Sequence, residues 1–345
     1  MTLAIVVAHN AAIPKPAPVP DPSGFGWPDS ELPRGLTAQD VTRISAAIAA
    51  GRAESTRKTY ASAWRRFERW CTDRTIPPLP ATPATICAYL ADFAQQGVVS
   101  GTIEGACAAI ADAHHRDGHP NPVADEPVKA VRRGIRHTLG TAPRRQARPL
   151  NTDEIRQMLT GIDRTTIKGV RDAAVILLGF ASALRRSELA DLNLDDVEPK
   201  PEGLLVHVRQ SKGDPEKRGQ LVGVARGNHP DTDPISALDA WIDLRGREPG
   251  RLFVAVRNEQ IGPQPFTGSG LARMLKDRAA AAGLPSERIS GHSLRAGHAT
   301  TAAMAGVDLA RIAAQTRHTR ISTLVEHYIR PLEALQVTSS RNLGL

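Results

Sequence analysis

Apolar residues recur at helical spacing along most of the chain after residue 36, and this periodicity restricts the fold more than any other feature. The clearest apolar stripe consists of Tyr60, Trp64, Phe67 and Cys71. Only residues 204–209 and 220–224 have the pattern of strands, and the turn residues between them indicate a hairpin. We therefore expect a mainly α fold with a small antiparallel sheet.

Prolines and helix patterns suggest where the domains begin and end. Seven prolines fall between Pro14 and Pro33, a composition that favours extended, solvated chain over a packed core. Helix starts such as Thr82-Pro83 then recur, and a long apolar helix is predicted from Val170 to Leu184. The expected regions are a Pro-rich, disordered tail (1–36), a helical domain (37–140), a basic linker (141–149) and a second, mostly helical domain with a C-terminal tail (150–345).

The chain carries a formal net charge of +8, which favours a polyanionic partner. Two basic groups are candidates for phosphate contacts, although a basic helix face is also commonly just solvated. The first group, around the helix that begins near Ser55, is Arg57, Lys58, Arg65 and Arg66. The second, in a stretch from 129 to 148 without acidic residues, includes Arg132, Arg133, Arg136, Arg144 and Arg145.

The sequence also indicates the compartment. Its three cysteines, Cys71, Cys87 and Cys107, fall in predicted helices without metal-binding spacing, as expected of reduced core residues. The apolar run from Leu3 to Ala8 is too short for a membrane span and lacks the basic flank of a secretion signal. We expect an intracellular protein without a membrane partner.

A stretch near the end of the chain, residues 291–328, brings together the side chains that phosphoryl transfer requires. His292 and Arg295 are three residues apart and are expected to share a helix face. His318 follows in a polar turn, and Tyr328 lies at the end of a short predicted helix. Each histidine could instead be a satisfied helix-end residue, so the group as a whole carries the prediction.

These marks resemble the tyrosine recombinases of the phage integrase family over roughly residues 150–330. The family's Gly-Leu-Arg-x-x-Glu-Leu pattern is present as Ala183-Leu184-Arg185-Arg186-Ser187-Glu188-Leu189, and His-x-Leu-Arg as His292-Ser293-Leu294-Arg295. Lys212 matches the family's lysine on a β-turn, with Lys217 as the alternative. Residues 37–140, with their Ser-Thr-Arg-Lys-Thr-Tyr entry, resemble the core-binding domain. Arg317 stands where the family usually has a glycine, and Ala183 is a second such departure.

The resemblance implies the catalytic roles. Arg185, supported by Glu188, and Arg295 would hold the non-bridging oxygens of a phosphodiester, because guanidinium groups offer several fixed donors. Alone, Arg185 and Glu188 would read as an ordinary salt bridge. Tyr328 would be the nucleophile, and ionising it at pH 7 costs roughly 4 kcal/mol, so a base is needed. The expected base is His292, Lys212 would protonate the leaving 5′ oxygen, and His318 would hydrogen-bond the phosphate.

The resulting expectation is a site-specific recombinase or integrase that acts on double-stranded DNA carrying a specific recombination site. It would cut and rejoin strands through a 3′-phosphotyrosyl intermediate in a homotetramer, in the cytoplasm at the bacterial nucleoid. No cofactor or metal is expected, since the covalent bond conserves the phosphodiester energy. The alternatives are a type IB-like topoisomerase or resolvase, and a non-catalytic architectural protein on a recombinase scaffold. The tail after Tyr328 is expected to pack on a neighbouring subunit.

Overall fold

A computed structural model describes residues 37–51, 53–140, 147–209, 219–318, 320–327, 340 and 343. The chain separates into two compact units between residues 144 and 145, a position inside the predicted linker 141–149. The roles assigned to the two units stay predictions. Across the described ranges, no helix is both long enough and apolar enough to cross a membrane.

The first unit is helical in its described residues. Its helices are α1 (Ala38–Ala50), α2 (Glu54–Thr72), α3 (Pro83–Gln95), α4 (Ser100–Arg116) and α5 (Glu126–Leu139). Thr82 caps α3 by accepting a hydrogen bond from the Thr85 N–H. Of the predicted stripe on α2, Phe67 and Cys71 are fully buried, and they join the aromatic residues of α3 in one core.

The second unit packs helices around α7, with two small sheets. Its helices are α6 (Thr152–Thr160), α7 (Ile167–Ser182), α8 (Arg186–Asp191), α9 (Pro234–Arg245), α10 (Gly268–Ala281), α11 (Ser293–Met304), α12 (Leu309–Thr316) and α13 (Ile321–His327). Almost every residue of α7 from Gly169 to Gly179 is buried, as expected for the central helix of a core. The helix ends before the predicted Leu184, because Ala183 adopts a left-handed backbone at φ 52°.

The strands are β1 (Val197–Lys200), β2 (Gly203–Val208), β3 (Gln220–Ala225), β4 (Val254–Arg257) and β5 (Gln260–Pro265). The predicted hairpin is confirmed as β2 and β3, which pair antiparallel with Val206 opposite Val222. β1 extends this sheet, while β4 and β5 form a second one that the sequence did not predict. Neither β1 nor β5 alternates buried and exposed residues, so they lack the period of two that reveals a strand. The mainly α expectation is confirmed.

Two glycines allow α11 to approach its neighbours. A Cβ on Gly297 would lie 1.8 Å from the carbonyl oxygen of Leu150, closer than any side chain permits. A Cβ on Gly179 of α7 would lie 2.7 Å from the side chain of Leu294 on α11. The first contact places α11 against the segment that precedes α6, and the second places it against α7.

Candidate active site

The turn after α7 positions the first predicted catalytic arginine. Arg185 has extended backbone at the N-cap of α8, and its N–H donates to Oε2 of Glu188 at 2.8 Å. Its guanidinium also donates, from Nη1 to Oε1 of the same carboxylate at 2.7 Å. Glu188 therefore caps the helix and orients Arg185 at once, as expected of a supporting acid.

Glu188 is buried, with 6% of its surface exposed, and a second arginine reaches it. Nη2 of Arg317, at the end of α12, donates to Oε2 of Glu188. Burial alone would raise the pKa of Glu188, but the charge of Arg317 and the hydrogen bonds from Arg185 outweigh it and lower this pKa. The carboxylate is thus held ionised between two guanidinium groups.

The second predicted arginine is fully buried. Arg295 lies in the first turn of α11, whereas His292 precedes that helix and is exposed. His292 is the N-cap of α11 and keeps helical backbone, with φ −83° and ψ −14°, and its carbonyl oxygen accepts from the N–H of Ala296 at 2.9 Å. The expected shared face with Arg295 stays a prediction. Arg295 donates from Nη1 to the carbonyl oxygen of Ala183 at 2.7 Å, and from Nη2 to the carbonyl oxygen of Thr316.

Both ring nitrogens of His318 are hydrogen-bonded, one to Thr316 and one to Arg295. The hydroxyl of Thr316 donates to the carbonyl oxygen of Ile312 at 2.6 Å, so it has no proton left for His318. Nδ1 of His318, 2.7 Å from this hydroxyl, must therefore be the donor. Its Nε2 then accepts from Nη2 of Arg295 at 3.2 Å. In this arrangement, the ring could donate to a phosphate from Nε2 only after it gains a second proton.

The contacts bring three separate motifs to one place. Arg295 ties α11 to the turn before Arg185 and to the end of α12. Gly291, next to His292, lies so close to Arg186 that a Cβ there would meet its Cδ at 2.4 Å. The turns that carry Arg185, His292 and His318 therefore converge, as the predicted constellation requires.

Some predicted site residues lie outside the described residues. These are Lys212, its alternative Lys217, the expected nucleophile Tyr328, and the basic residues Arg144 and Arg145. Within the described ranges, no three His, Cys, Asp or Glu side chains are grouped so as to hold a metal ion.

The predicted DNA-contacting residues in the first unit differ in their charge environment. On α2, Arg57 and Arg65 are exposed, Lys58 pairs with Glu54 at 2.6 Å, and Arg66 lies over the ring of Phe93.

On α5, three arginines pair with two carboxylates, one from α4 and one at the start of α5 itself. Arg132 and Arg136 pair with Glu104 of α4, and Arg133 pairs with Glu126 at 3.4 Å. Two carboxylates thus meet three arginines, so acidic residues outside 129–148 compensate part of this positive charge and leave the rest.

Two residues of this site were not predicted to act in it. Arg317 was noted only as a departure from the family's glycine, and its left-handed backbone at φ 56° explains why glycine is usual there. Thr316 gave no signal, since a threonine in the last turn of a helix is common. Its role depends on His318 folding back onto it.

Comparisons with known proteins identify the family of the chain. The sequence profile of the phage integrase family matches residues 148–334. An integrase/recombinase xerD homolog of Selenomonas ruminantium is 32% identical over 282 residues, which cover 81% of this chain and 82% of the relative. The chain therefore belongs to the phage integrase family and is a tyrosine recombinase.

Solved structures share the fold. The XerH site-specific recombinase bound to palindromic difH substrate, in a post-cleavage complex, matches with a TM-score of 0.61 at 16% identity over 84% of this chain and 80% of that one. A lambda integrase tetramer bound to a Holliday junction matches with a TM-score of 0.58 at 18% identity over 85% and 77%.

Proposed function

We propose that this tyrosine recombinase cuts and rejoins double-stranded DNA at a specific recombination site, with Tyr328 as the nucleophile. The observation that carries the proposal is the position of Arg295. Its guanidinium contacts the turn before Arg185 and the carbonyl of Thr316, and it hydrogen-bonds His318. Residues far apart in the sequence thereby form one cationic site suited to a phosphodiester.

In the proposed reaction, the hydroxyl oxygen of Tyr328 attacks phosphorus and forms a 3′-phosphotyrosyl bond while the bond to the 5′ oxygen breaks. His292 takes the tyrosine proton, and Lys212 gives a proton to the leaving 5′ oxygen. The charge that develops on the non-bridging oxygens is met by Arg185 and Arg295. Attack by the 5′ hydroxyl of a second strand reverses these steps and rejoins the DNA.

His318 has a conditional role in this scheme. Nε2 can donate to a phosphate oxygen once it carries a proton, either in the imidazolium ion or in the neutral tautomer whose Nδ1 accepts from the hydroxyl of Thr316. A bound phosphate would compete with His318 for the donors of Arg295.

We further propose that the first unit contacts DNA and that four copies assemble on it. On α2, exposed Arg57 and Arg65 support phosphate contacts, with Lys58 and Arg66 nearby. On α5, Arg132, Arg133 and Arg136 contribute the positive charge that Glu104 and Glu126 do not compensate. Support for assembly comes from the lambda integrase tetramer on a Holliday junction, and support for DNA contacts comes from XerH bound to its difH substrate. The free thiols of Cys71, Cys87 and Cys107 support action in the cytoplasm, at the nucleoid.

The test is covalent trapping on nicked duplexes. Duplexes that bind tightly are selected from a random pool, nicked at successive positions, and incubated with the full chain before denaturing electrophoresis. We expect an adduct with the wild-type protein and with Tyr60→Phe, and none with Tyr328→Phe, which should still bind the duplex. Tight binding without any adduct would instead support the architectural alternative, and an adduct with Tyr328→Phe would reject the nucleophile.

A further inference from the structure

Arg317 occupies a backbone position that suits glycine. It follows α12 with φ 56° and ψ 47°, in the left-handed region where a Cβ is crowded. Helices commonly end with glycine in this conformation. An arginine here carries a steric cost, so its side chain must provide a compensating interaction.

The side chain of Arg317 is buried and hydrogen-bonded to Glu188 and Gln315. Only 4% of it is exposed, and Nη2 donates to Oε2 of Glu188, while Nη1 donates to the carbonyl oxygen of Gln315 at 3.4 Å. The Nε of Arg317 is also buried and has no acceptor among the described residues. Arginine is rarely buried unless it is paired, so the carboxylate of Glu188 is what holds it.

Glu188 in turn connects Arg317 to the catalytic arginine. One carboxylate oxygen accepts from Nη1 of Arg185 at 2.7 Å, and the other accepts from the Arg185 N–H and from Arg317. Arg317 immediately precedes His318, whereas Glu188 is 129 residues earlier in the chain. The ion pair therefore joins the turn of His318 to the start of α8.

We propose that Arg317 is a positioning residue, which fixes Glu188 and thereby the guanidinium of Arg185, and which holds the turn of His318 beside them. This inference rests on the proposed strand-cleavage function and adds a residue to it.

The experiment measures single-turnover cleavage of a nicked duplex by the full chain. Arg317→Gly suits the left-handed backbone, so the turn is retained while the ion pair is lost. We expect its cleavage rate constant to fall about 10- to 100-fold, with an unchanged Kd for the duplex. Arg317→Lys keeps a charge without the planar guanidinium, so its cleavage rate should lie between those of the wild type and Arg317→Gly. Arg311→Ala removes an exposed charge from α12, the helix that Arg317 follows, and should cleave at the wild-type rate.

A double-mutant cycle separates positioning from general damage. If Arg317 acts through Glu188, then adding Arg317→Gly to Glu188→Gln should slow cleavage by less than about twofold further. A wild-type rate for Arg317→Gly, or losses that simply multiply in the double variant, would overturn the inference while leaving the proposed function intact.

A second readout does not need activity. Denaturant unfolding is measured for the wild type, Arg317→Gly, Glu188→Gln and the double variant. If the ion pair joins the two turns, the effects of the two substitutions on the unfolding equilibrium constant should be coupled by at least about fivefold. Absence of coupling would overturn the inference. Failure of the wild-type protein to form any adduct would reject the proposed function, and with it the catalytic purpose of Arg317, even if the coupling were found.

Discussion

The guanidinium of Arg295 donates to the carbonyl oxygen of Ala183 at 2.7 Å, although 112 residues separate the two in the sequence. This bond fixes the turn that precedes Arg185. A side chain expected to bind phosphate thus also holds the site together, because its donors are divided among groups from two other segments. Stability and catalysis are therefore coupled at Arg295.

Replacing Arg295 with lysine should damage both properties. One ammonium group cannot reproduce the fork that reaches Ala183 and Thr316 together, so a buried carbonyl loses its donor. We expect the free energy of unfolding to fall by about 1–3 kcal/mol and cleavage to slow about 10²- to 10³-fold. Urea unfolding and single-turnover cleavage measure these, with Arg311→Lys as the exposed control. Wild-type cleavage by Arg295→Lys would contradict the assignment.

Thr316→Val should disturb His318 without changing side-chain volume appreciably. It removes the hydroxyl that accepts from Nδ1 of His318, so the ring loses its fixed tautomer and orientation. We expect about a tenfold slower cleavage and a loss of about 1 kcal/mol in stability, with duplex affinity retained. Thr316→Ser keeps the hydroxyl and serves as the control. Equal rates for the valine and serine variants would show that the hydroxyl does not matter.

Gly297→Ala should destabilise the second unit by about 2–3 kcal/mol, because the added Cβ meets the backbone of Leu150, which cannot move aside like a side chain. Gly105→Ala is the matched helix control. A Cβ there meets nothing within 4 Å, so it should stabilise α4 by about 0.5–1 kcal/mol. Hydrogen exchange of each unit's amides measures both effects. Normal protection of α11 in Gly297→Ala would contradict the close packing.

His298, on α11 one turn after Arg295, should make stability depend on pH. Its Nδ1 donates to the carbonyl oxygen of Phe180 at 2.9 Å. Burial lowers the pKa of His298, and the charge of Arg295 adds to this, although the bond to Phe180 opposes it. The neutral ring is therefore favoured in the folded protein.

The unfolded chain consequently binds a proton first as pH falls below about 6.5, and stability is lost from there down through the folded pKa. We expect His298→Asn, which keeps a donor, to reduce the slope of unfolding free energy between pH 7.5 and 5.5 by up to about 1.4 kcal/mol per pH unit. Identical slopes for the two proteins would refute this role.

Much of the architecture follows from local sequence. The apolar period places the helices, Thr82 and Asn151 begin α3 and α6 as caps, and the alternation in 204–209 gives the confirmed hairpin. The order of Arg185, His292, Arg295 and His318 also indicated the reaction class, because each motif is a short run of neighbouring residues. These are properties of spacing along a chain.

Other features depend on which distant residues meet, and only the tertiary structure decided them. Three contacts each join residues more than 20 positions apart: Arg295 with Ala183, Arg317 with Glu188, and Arg132 with Glu104. Such contacts depend on how packed helices bring their faces together, and periodicity within one helix does not specify its partner. Local spacing determined the helices, the β2–β3 hairpin and the chemical groups, while packing determined the second sheet and how those groups are paired, oriented and held.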